Sequence, residues 1–468
     1  MSSLLLPGSQ QLNRLFHLMV VFAVLGPTLG VQVPWGTSDP WLNVTFFRAT
    51  FFLLVAGLVI RWVNEHSLES SHMYPVRWFT AFFAFWILYA TVSLTWVADL
   101  YKGLRYSAFL LIMLSLCLSF PLFIKNHLNM ENTSKVLFGV FFILVVFGLS
   151  ESVFLWHLPV SRYYEQNVPY PTSFFTNQND FATTITLGLP FLVTALYMIP
   201  MRRRNKGLIY TTGIIALSCL LITGSRSNSG FALPLITISW LISIFFTVER
   251  TKLRRHFLKG VGWVFLGILL VAVLSSTLIS PQIRDKLGTT MGVIQNLQKD
   301  WQLQQDGDVV ESGDPAPEGK SISIRKALII NGLRFLHHSN YLGVGAGNIE
   351  YFMEGAPNVY NKTNIHNWWA EILVNFGVLV FTLYMCLYIW LLHRLWRLAR
   401  ITNTGLSPVI RWGATASLIA LIGYVFGAMS PSTAIHFTPM WIVYGFALAV
   451  VAVGEREQER VAKAEGST

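Results

Sequence analysis

The apolar residues of this chain are not scattered, as they are in a soluble core, but clumped into long runs separated by short polar connections. Twelve runs can be marked, at 15–33, 44–62, 77–95, 104–123, 135–155, 181–200, 208–223, 229–247, 258–279, 369–391, 411–428 and 434–453. Several reach the roughly 20 residues that a helix needs to cross the hydrocarbon core of a bilayer. The pattern predicts an all-α, polytopic integral membrane protein. It has about twelve transmembrane helices in one bundle over 1–468, with a large loop, 280–367, between helices nine and ten. The first run follows LNRLF without a small-residue cleavage site, so it reads as a span and not as a removable signal peptide.

Composition agrees. Of the 468 residues, 53% are hydrophobic and only 12% charged, about half the charged share of a soluble domain. The net charge of +11 does not call for a nucleic-acid partner. The basic residues stand in clusters between apolar runs, such as RRRNK at 202–206 and KLRRHF at 252–257, as the positive-inside rule produces. With the N-terminus cytoplasmic, seventeen Lys and Arg fall at inner loops and span ends. Only five, Arg48, Lys102, Arg105, Arg162 and Arg226, fall at the short outer ones. Nine spans precede the large loop, so the loop lies outside and both termini lie in the cytoplasm. The three cysteines, Cys117, Cys219 and Cys386, sit inside apolar runs and suggest neither disulfides nor a metal site.

Loop 280–367 holds eight Lys/Arg and nine Asp/Glu. Its middle, QQDGDVVESGDPAPEGK, is polar and rich in Gly and Pro, whereas SISIRKALIINGLRFL reads as an amphipathic helix near the outer interface.

Polar residues beside a membrane call for a reason, and four outward places stand out. In TGSRSNSG, 223–230, Arg226 is set among small hydroxyl residues and glycines, an arrangement that suits a phosphate or diphosphate. A snorkelling arginine that ends a helix is the plainer explanation. Arg325 and Lys326 open the loop helix, where positive charge opposes the helix dipole, and Arg334 follows; a ligand or a lipid headgroup would account for them. Before span six, PTSFFTNQNDFATT carries a collar of Asn177, Asn179 and Asp180, which can orient a sugar, while Asp180 can equally be a helix cap. In GVGAGNIEYF, 343–352, alternating glycines around Gly345 point to a tight turn with exposed N–H groups. His366 and Asn367 then open span ten ahead of Trp368 and Trp369, which would anchor that helix end at the interface. An outward imidazole there can take a proton from a hydroxyl near neutral pH, or can be purely structural. No HExxH or His/Asp cluster with ligand spacing occurs in the outer segments, so no metal or other cofactor is expected.

In order and placement, SFFTNQNDFA, LLITGSRSNSG, RKALIINGLRFLHHSNYLGVGAGNIEYF and HNWWAEILVNFGVLV make the chain resemble the O-antigen ligase and Wzy-type polymerase superfamily of bacterial envelope glycosyltransferases. These motifs lie within 171–392. The resemblance implies a multi-pass protein of the bacterial cytoplasmic membrane. It would transfer an undecaprenyl-diphosphate-linked glycan, on the outer face, to a glycan or lipid-linked acceptor, alongside other envelope polysaccharide assembly proteins. It implies that Arg226 and Arg325 hold the diphosphate and that His366 activates the acceptor hydroxyl, without a metal or a nucleotide sugar and with inversion at the anomeric carbon. The chain departs from the family after HN: Asn375 stands where an acidic residue often precedes the glycine, which leaves Glu371, one turn after Asn367, as the nearby carboxylate. Ligase and polymerase, the teichuronic-acid type among the latter, stay open. The reading from another class is a precursor transporter or flippase, which predicts polar residues deep in several spans and inverted repeats.

Overall fold

The structure, a computed structural model, describes residues 9–25, 30–31, 44–65, 70–278, 321–360, 362–403, 405–431 and 434–465. The polar middle of the large loop, within 279–320, lies outside them. The elements are α1 (Ser9–Val24), a two-residue ladder of β1 (Gly30–Val31) with β2 (Val44–Thr45), α2 (Phe46–Glu65), α3 (Arg77–Ser93), α4 (Leu100–Phe123), α5 (His127–Phe154), α6 (Gln178–Met198), α7 (Arg203–Ile222), α8 (Leu233–Thr247) and α9 (Arg250–Leu278). Then come α10 (Ser321–His338), α11 (Ile349–Met353), α12 (Trp368–Ala399), α13 (Pro408–Gly427) and α14 (Thr438–Glu465). A six-residue 3-10 turn, Ser71–Val76, leads into α3, and a π-helical turn, Asn228–Ala232, leads into α8.

Among the described residues, ten helices are long and apolar enough to cross a membrane, fewer than the twelve expected. The expected span 15–33 is corrected: α1 stops at Val24, and Gly30–Val31 pairs back onto Val44–Thr45. The described part of the run at 258–279, as far as Leu278, is helical, as the second part of α9, without being one of the ten. The amphipathic helix expected in the loop is α10, over Ser321–His338.

Burial ranks the helices. The span of α14 is 94% buried inside the bundle and that of α13 72%, against 28% for α2, so α14 and α13 are central and α2 lies at the rim. Side-chain caps begin several helices: Asp99 accepts from Lys102 N for α4, Asn126 from Asn129 N for α5, and Asn177 from Asn179 N and Asp180 N for α6. At the end of the bundle away from these α4 and α6 caps, Arg394 of α12 forms a fork with the Glu455 carboxylate of α14 and donates to Pro75 O at 2.7 Å.

The loop that follows α10 completes a broken helix. Gly377 interrupts α12 with φ 76° and ψ −179°, so Trp368–Phe376 is a short helix set ahead of the long one. The carbonyls freed at the break are met by the loop: Val344 N donates to Val374 O at 2.9 Å and Gly345 N to Asn375 O at 3.0 Å. In return Val378 N donates to Tyr341 O at 3.0 Å. Backbone meets backbone so closely that a Cβ at Gly343 (φ +91°) would lie 2.5 Å from Asn375 O, and one at Gly377 2.4 Å from Tyr341 O. The indoles of α3's C-terminal turn and of α12 also brace this region. Trp96 Nε1 donates to Gly343 O at 3.2 Å. Trp368, fully buried, donates to Tyr384 OH at 3.2 Å and packs edge-on against Trp441. Trp368 is therefore a core residue and not the interface anchor its position predicts.

Gly343→Ala and Gly377→Ala combine a left-handed backbone with a backbone clash. Each is expected to lower stability by more than about 1–3 kcal/mol, read as a drop in the thermal unfolding midpoint of the detergent-solubilised protein. Gly355→Ala, which meets nothing within 4 Å, is the control and leaves the midpoint unchanged.

Candidate functional site

The starts of α4, α6, α12 and α14 and the ends of α3, α5, α7 and α13 share one end of the bundle, and four polar segments converge there. The first is the turn after α7. It passes through Gly224 at φ 64°, and its chain widens into the π-helical turn at Asn228–Ala232. π-helical turns of this kind often accompany functional sites. Asn228 is fully buried here. Its Nδ2 faces Thr183 Oγ1 at 3.0 Å, Ser225 Oγ at 3.0 Å and Ser430 Oγ at 2.9 Å, and its Oδ1 accepts from Thr186 Oγ1 at 3.1 Å. Ser225 and Ser430 hydroxyls also meet, at 3.1 Å. One amide thus ties α6, the Arg226 turn and the connection between α13 and α14. Arg226 itself projects from this fixed turn and is exposed.

The second segment is the start of α6. Asn177, buried, is its cap, and its Nδ2 donates to Asp180 Oδ2 at 3.3 Å; Asp180 lies inside the first turn and is not the cap. Thr183 links this collar to the arginine turn, since its hydroxyl donates to Asn179 O at 2.9 Å and accepts from Asn228.

The third is α10. It lays Ile324 and Leu328 into a small apolar cluster with Val344, Ile349, Met353, Val359, Ile365 and Val374. That packing leaves Arg325 half-buried. Burial lowers the pKa of its guanidinium below the ordinary value, and the positive charge of Arg226 pushes the same way. The two arginines therefore lie close enough for their charges to repel. Among the described residues neither has an acidic partner within ion-pair distance. Arg334 is elsewhere: nine residues on, it is about 13 Å further along α10 and half a turn round, exposed, with Nη1 3.4 Å from Asn331 Oδ1.

The fourth is the stretch before α12. His366 has φ 50°, the left-handed region that non-glycine residues avoid. Two contacts hold it there. Its N–H donates to Asn364 Oδ1 at 3.0 Å, and its Nδ1 lies 3.2 Å from Pro431 O. A carbonyl only accepts, so Nδ1 carries the proton and Nε2 is left with a free lone pair. Burial lowers the imidazole pKa below the ordinary 6.5, the positive charges of Arg325 and Lys362 add to this, and the Pro431 carbonyl opposes it. His366 is thus neutral at pH 7. On the α13–α14 connection, which carries Pro431, His436 is a different case. Burial, with Arg105 and Arg48, holds it down at about 3, and it packs edge-on to Phe109.

Asn367 serves the helix itself. Its side chain caps α12, accepting from Trp369 N at 3.0 Å and Ala370 N at 3.2 Å. Gly345 also serves the fold. It is buried, and its N–H is engaged by Asn375 O, so it does not present a donor to a ligand as the exposed-turn reading requires. Glu371 is engaged by Tyr106, whose hydroxyl donates to its Oε1 at 2.8 Å. The structure therefore brings Arg226, Arg325 and His366 together, sets Asn177, Asn179 and Asp180 beside them, and leaves Arg334, Gly345 and Glu371 out. Sequence reasoning missed Asn228, Ser430 and Pro431. Asn228 lay within the TGSRSNSG stretch, and Ser430-Pro431 is marked only as a polar break between two apolar runs. Among the described residues no three His, Cys, Asp or Glu side chains are placed to hold a metal.

Residues 211–385 match the O-antigen ligase family. The chain is also 27% identical over 411 residues to the teichuronic acid biosynthesis protein TuaE of Bacillus subtilis (strain 168), an alignment covering 85% of this chain and 76% of that protein.

Asn228→Ala removes the amide shared by four hydroxyls in a buried setting. It is expected to lower stability by about 1–3 kcal/mol, measured by thermal unfolding in detergent, whereas Ser229→Ala on the same turn, half-buried and with a single long contact to Leu220 O, changes little.

Proposed function

Because the chain belongs to the O-antigen ligase and Wzy-type polymerase superfamily, we propose that this membrane-associated, glycan-handling enzyme transfers a glycan from undecaprenyl diphosphate to an acceptor hydroxyl. The site faces away from the cytoplasm, and both termini lie inside. The observation that carries the reading is the pairing of Arg226 with Arg325, two cations with no acidic partner among the described residues, beside a neutral His366. Two like charges held near one another are unfavourable alone and favourable around a dianion. A diphosphate fits, because each guanidinium fork matches phosphoryl oxygens.

The chemistry follows. The anomeric carbon already bears a good leaving group. His366 Nε2 accepts the proton of the acceptor hydroxyl as its oxygen bonds to the anomeric carbon. The bond from that carbon to the diphosphate oxygen breaks, and the negative charge growing on the leaving group is met by Arg226 and Arg325. Lipid diphosphate departs, the proton rests on His366, and displacement in one step inverts the anomeric centre. Asn177, Asn179 and Asp180, tied through Thr183 to the Arg226 turn, can orient the sugar. Ligation and polymerisation share this donor and this step and differ only in the acceptor. The relative's part in teichuronic acid biosynthesis supports a cell-envelope polysaccharide as the product.

The test is a liposome reconstitution with a lipid-diphosphate-linked oligosaccharide, with and without candidate acceptors, that measures release of free lipid diphosphate. Arg226→Ala, Arg325→Ala and His366→Ala are each expected to reduce turnover by about a hundredfold or more. Full turnover in all three would overturn the reading. Passage of intact lipid-linked glycan across the bilayer, without diphosphate release, would make the protein a transporter.

The pH profile gives a second check. The neutral imidazole is the active form, so turnover is flat through neutral pH and falls only below 6.5, as acid protonates a histidine whose pKa is lowered. Lys362 is exposed and lowers that pKa through its charge. Lys362→Gln is therefore expected to move the acid limb to higher pH while the plateau stays in place.

A further inference from the structure

Behind His366 lies a buried carboxyl that the transfer step does not use. Glu371 sits one turn into α12, is 5% exposed, and accepts from Tyr106 OH at Oε1, at 2.8 Å. Its Oε2 is sealed from solvent and has no aligned donor, although it faces the backbone of Ala434 and Ile435. Beside it is a cavity of about 10 Å³ whose lining includes Tyr106, Glu350, Asn364, Glu371 and Ile435. A space of this size with several polar walls suits one water and excludes a sugar.

Both segments that hold His366 pass over this carboxyl. One is 362–367, whose Asn364 fixes the His366 N–H and lines the cavity. The other is the α13–α14 connection, which carries Pro431, the partner of Nδ1, and continues to Ala434 and Ile435. His366 needs that support, because its φ of 50° is not one its own backbone favours. We propose that Glu371 is a positioning residue for His366, acting through one ordered water in the cavity that bridges its Oε2 to the Asn364 side chain. Glu371 is then no sugar ligand: it supports the floor on which both segments rest and so fixes the direction of Nε2. This inference rests on the reading of His366 as the general base.

The experiment uses the full-length protein in the liposome assay, with kcat and the KM for the lipid-diphosphate oligosaccharide determined separately, and thermal midpoints recorded. Glu371→Leu is expected to lower kcat by about ten- to hundredfold, the loss that follows a base displaced by about an ångström. KM stays within about twofold, since the arginines are untouched. Glu371→Gln keeps the shape, an oxygen for Tyr106 and a group that binds water, and recovers most of kcat. Asn364→Ala, at a half-buried position, reproduces the loss of kcat and carries the test if Glu371→Leu does not fold. A rise in KM at unchanged kcat in Glu371→Leu or Asn364→Ala would overturn the proposal in favour of a direct substrate contact. Equal losses in Glu371→Gln and Glu371→Leu, or a normal kcat in Asn364→Ala, would overturn it in favour of a packing role. His366→Ala separates the two levels. If it transfers normally, the proposed base is wrong; if it is inactive while Glu371→Leu and Asn364→Ala are normal, only the positioning role falls.

Discussion

The site depends on one buried amide. Asn228 is placed among the hydroxyls of Thr183, Thr186, Ser225 and Ser430, where no water competes and an unmatched polar atom would be expensive. Each of those hydroxyls belongs to a segment that carries a candidate group. Ser225 precedes Arg226, Thr183 follows the collar of Asn177–Asp180, and Ser430 precedes the carbonyl that holds His366. A shift of any one segment breaks a bond at Asn228, so the three move as a unit. The π-helical turn has a physical role in this light: its wider radius brings Asn228 inward while Arg226, two residues earlier, stays at the surface.

The break in α12 is the second element of the same design. A helix that ran straight through Gly377 would leave no place for the loop from Tyr341 to Gly345, whose N–H groups need partners near a membrane. The interruption supplies those partners and turns a loop that would have floated above the bundle into part of its wall. It also frees Trp368–Phe376 to act as a short platform, with Asn367 as its cap, His366 at its head and Glu371 beneath.

The sequence made the class and most of the framework legible. Long apolar runs, charge bias and the amphipathic pattern of α10 are local properties, and they survive without knowledge of neighbours. The run at 15–33 departs from its pattern at Gly30–Val31, whose partners, Val44–Thr45, lie outside the run. Arg226, Arg325 and His366 were legible because charged and titratable groups at apolar boundaries demand a reason. Gly345 and Asn367 fall in the expected region but serve the backbone and not a ligand. A glycine or asparagine at a helix start looks the same in sequence whether its groups face a ligand or a neighbouring carbonyl. Asn228, Pro431 and the depth of Glu371 were out of reach, because their importance comes from partners 45 to 265 residues away. Trp368 illustrates the same limit, since an interfacial and a core tryptophan share one pattern.

The remaining question is what holds Arg325 beside Arg226 against their repulsion. Two like charges near a protein surface repel by about 4 kcal/mol at 4 Å and by less at greater separations. Burial of a single isoleucine or leucine contributes about 1.5–3 kcal/mol. Ile324 and Leu328 flank Arg325 on α10, and both are buried in the cluster with Val344, Ile365 and Val374. Apolar packing of these two side chains alone is enough to hold the cation in place. The cluster also contains Ile365, the residue before His366, so the force that sets Arg325 is applied to the histidine's own segment. The fold thus stores an electrostatic mismatch in a rigid frame, and an anion entering between the arginines meets a charge already in position and no reorganisation to complete. That is the condition under which fixed charges stabilise a leaving group better than water does.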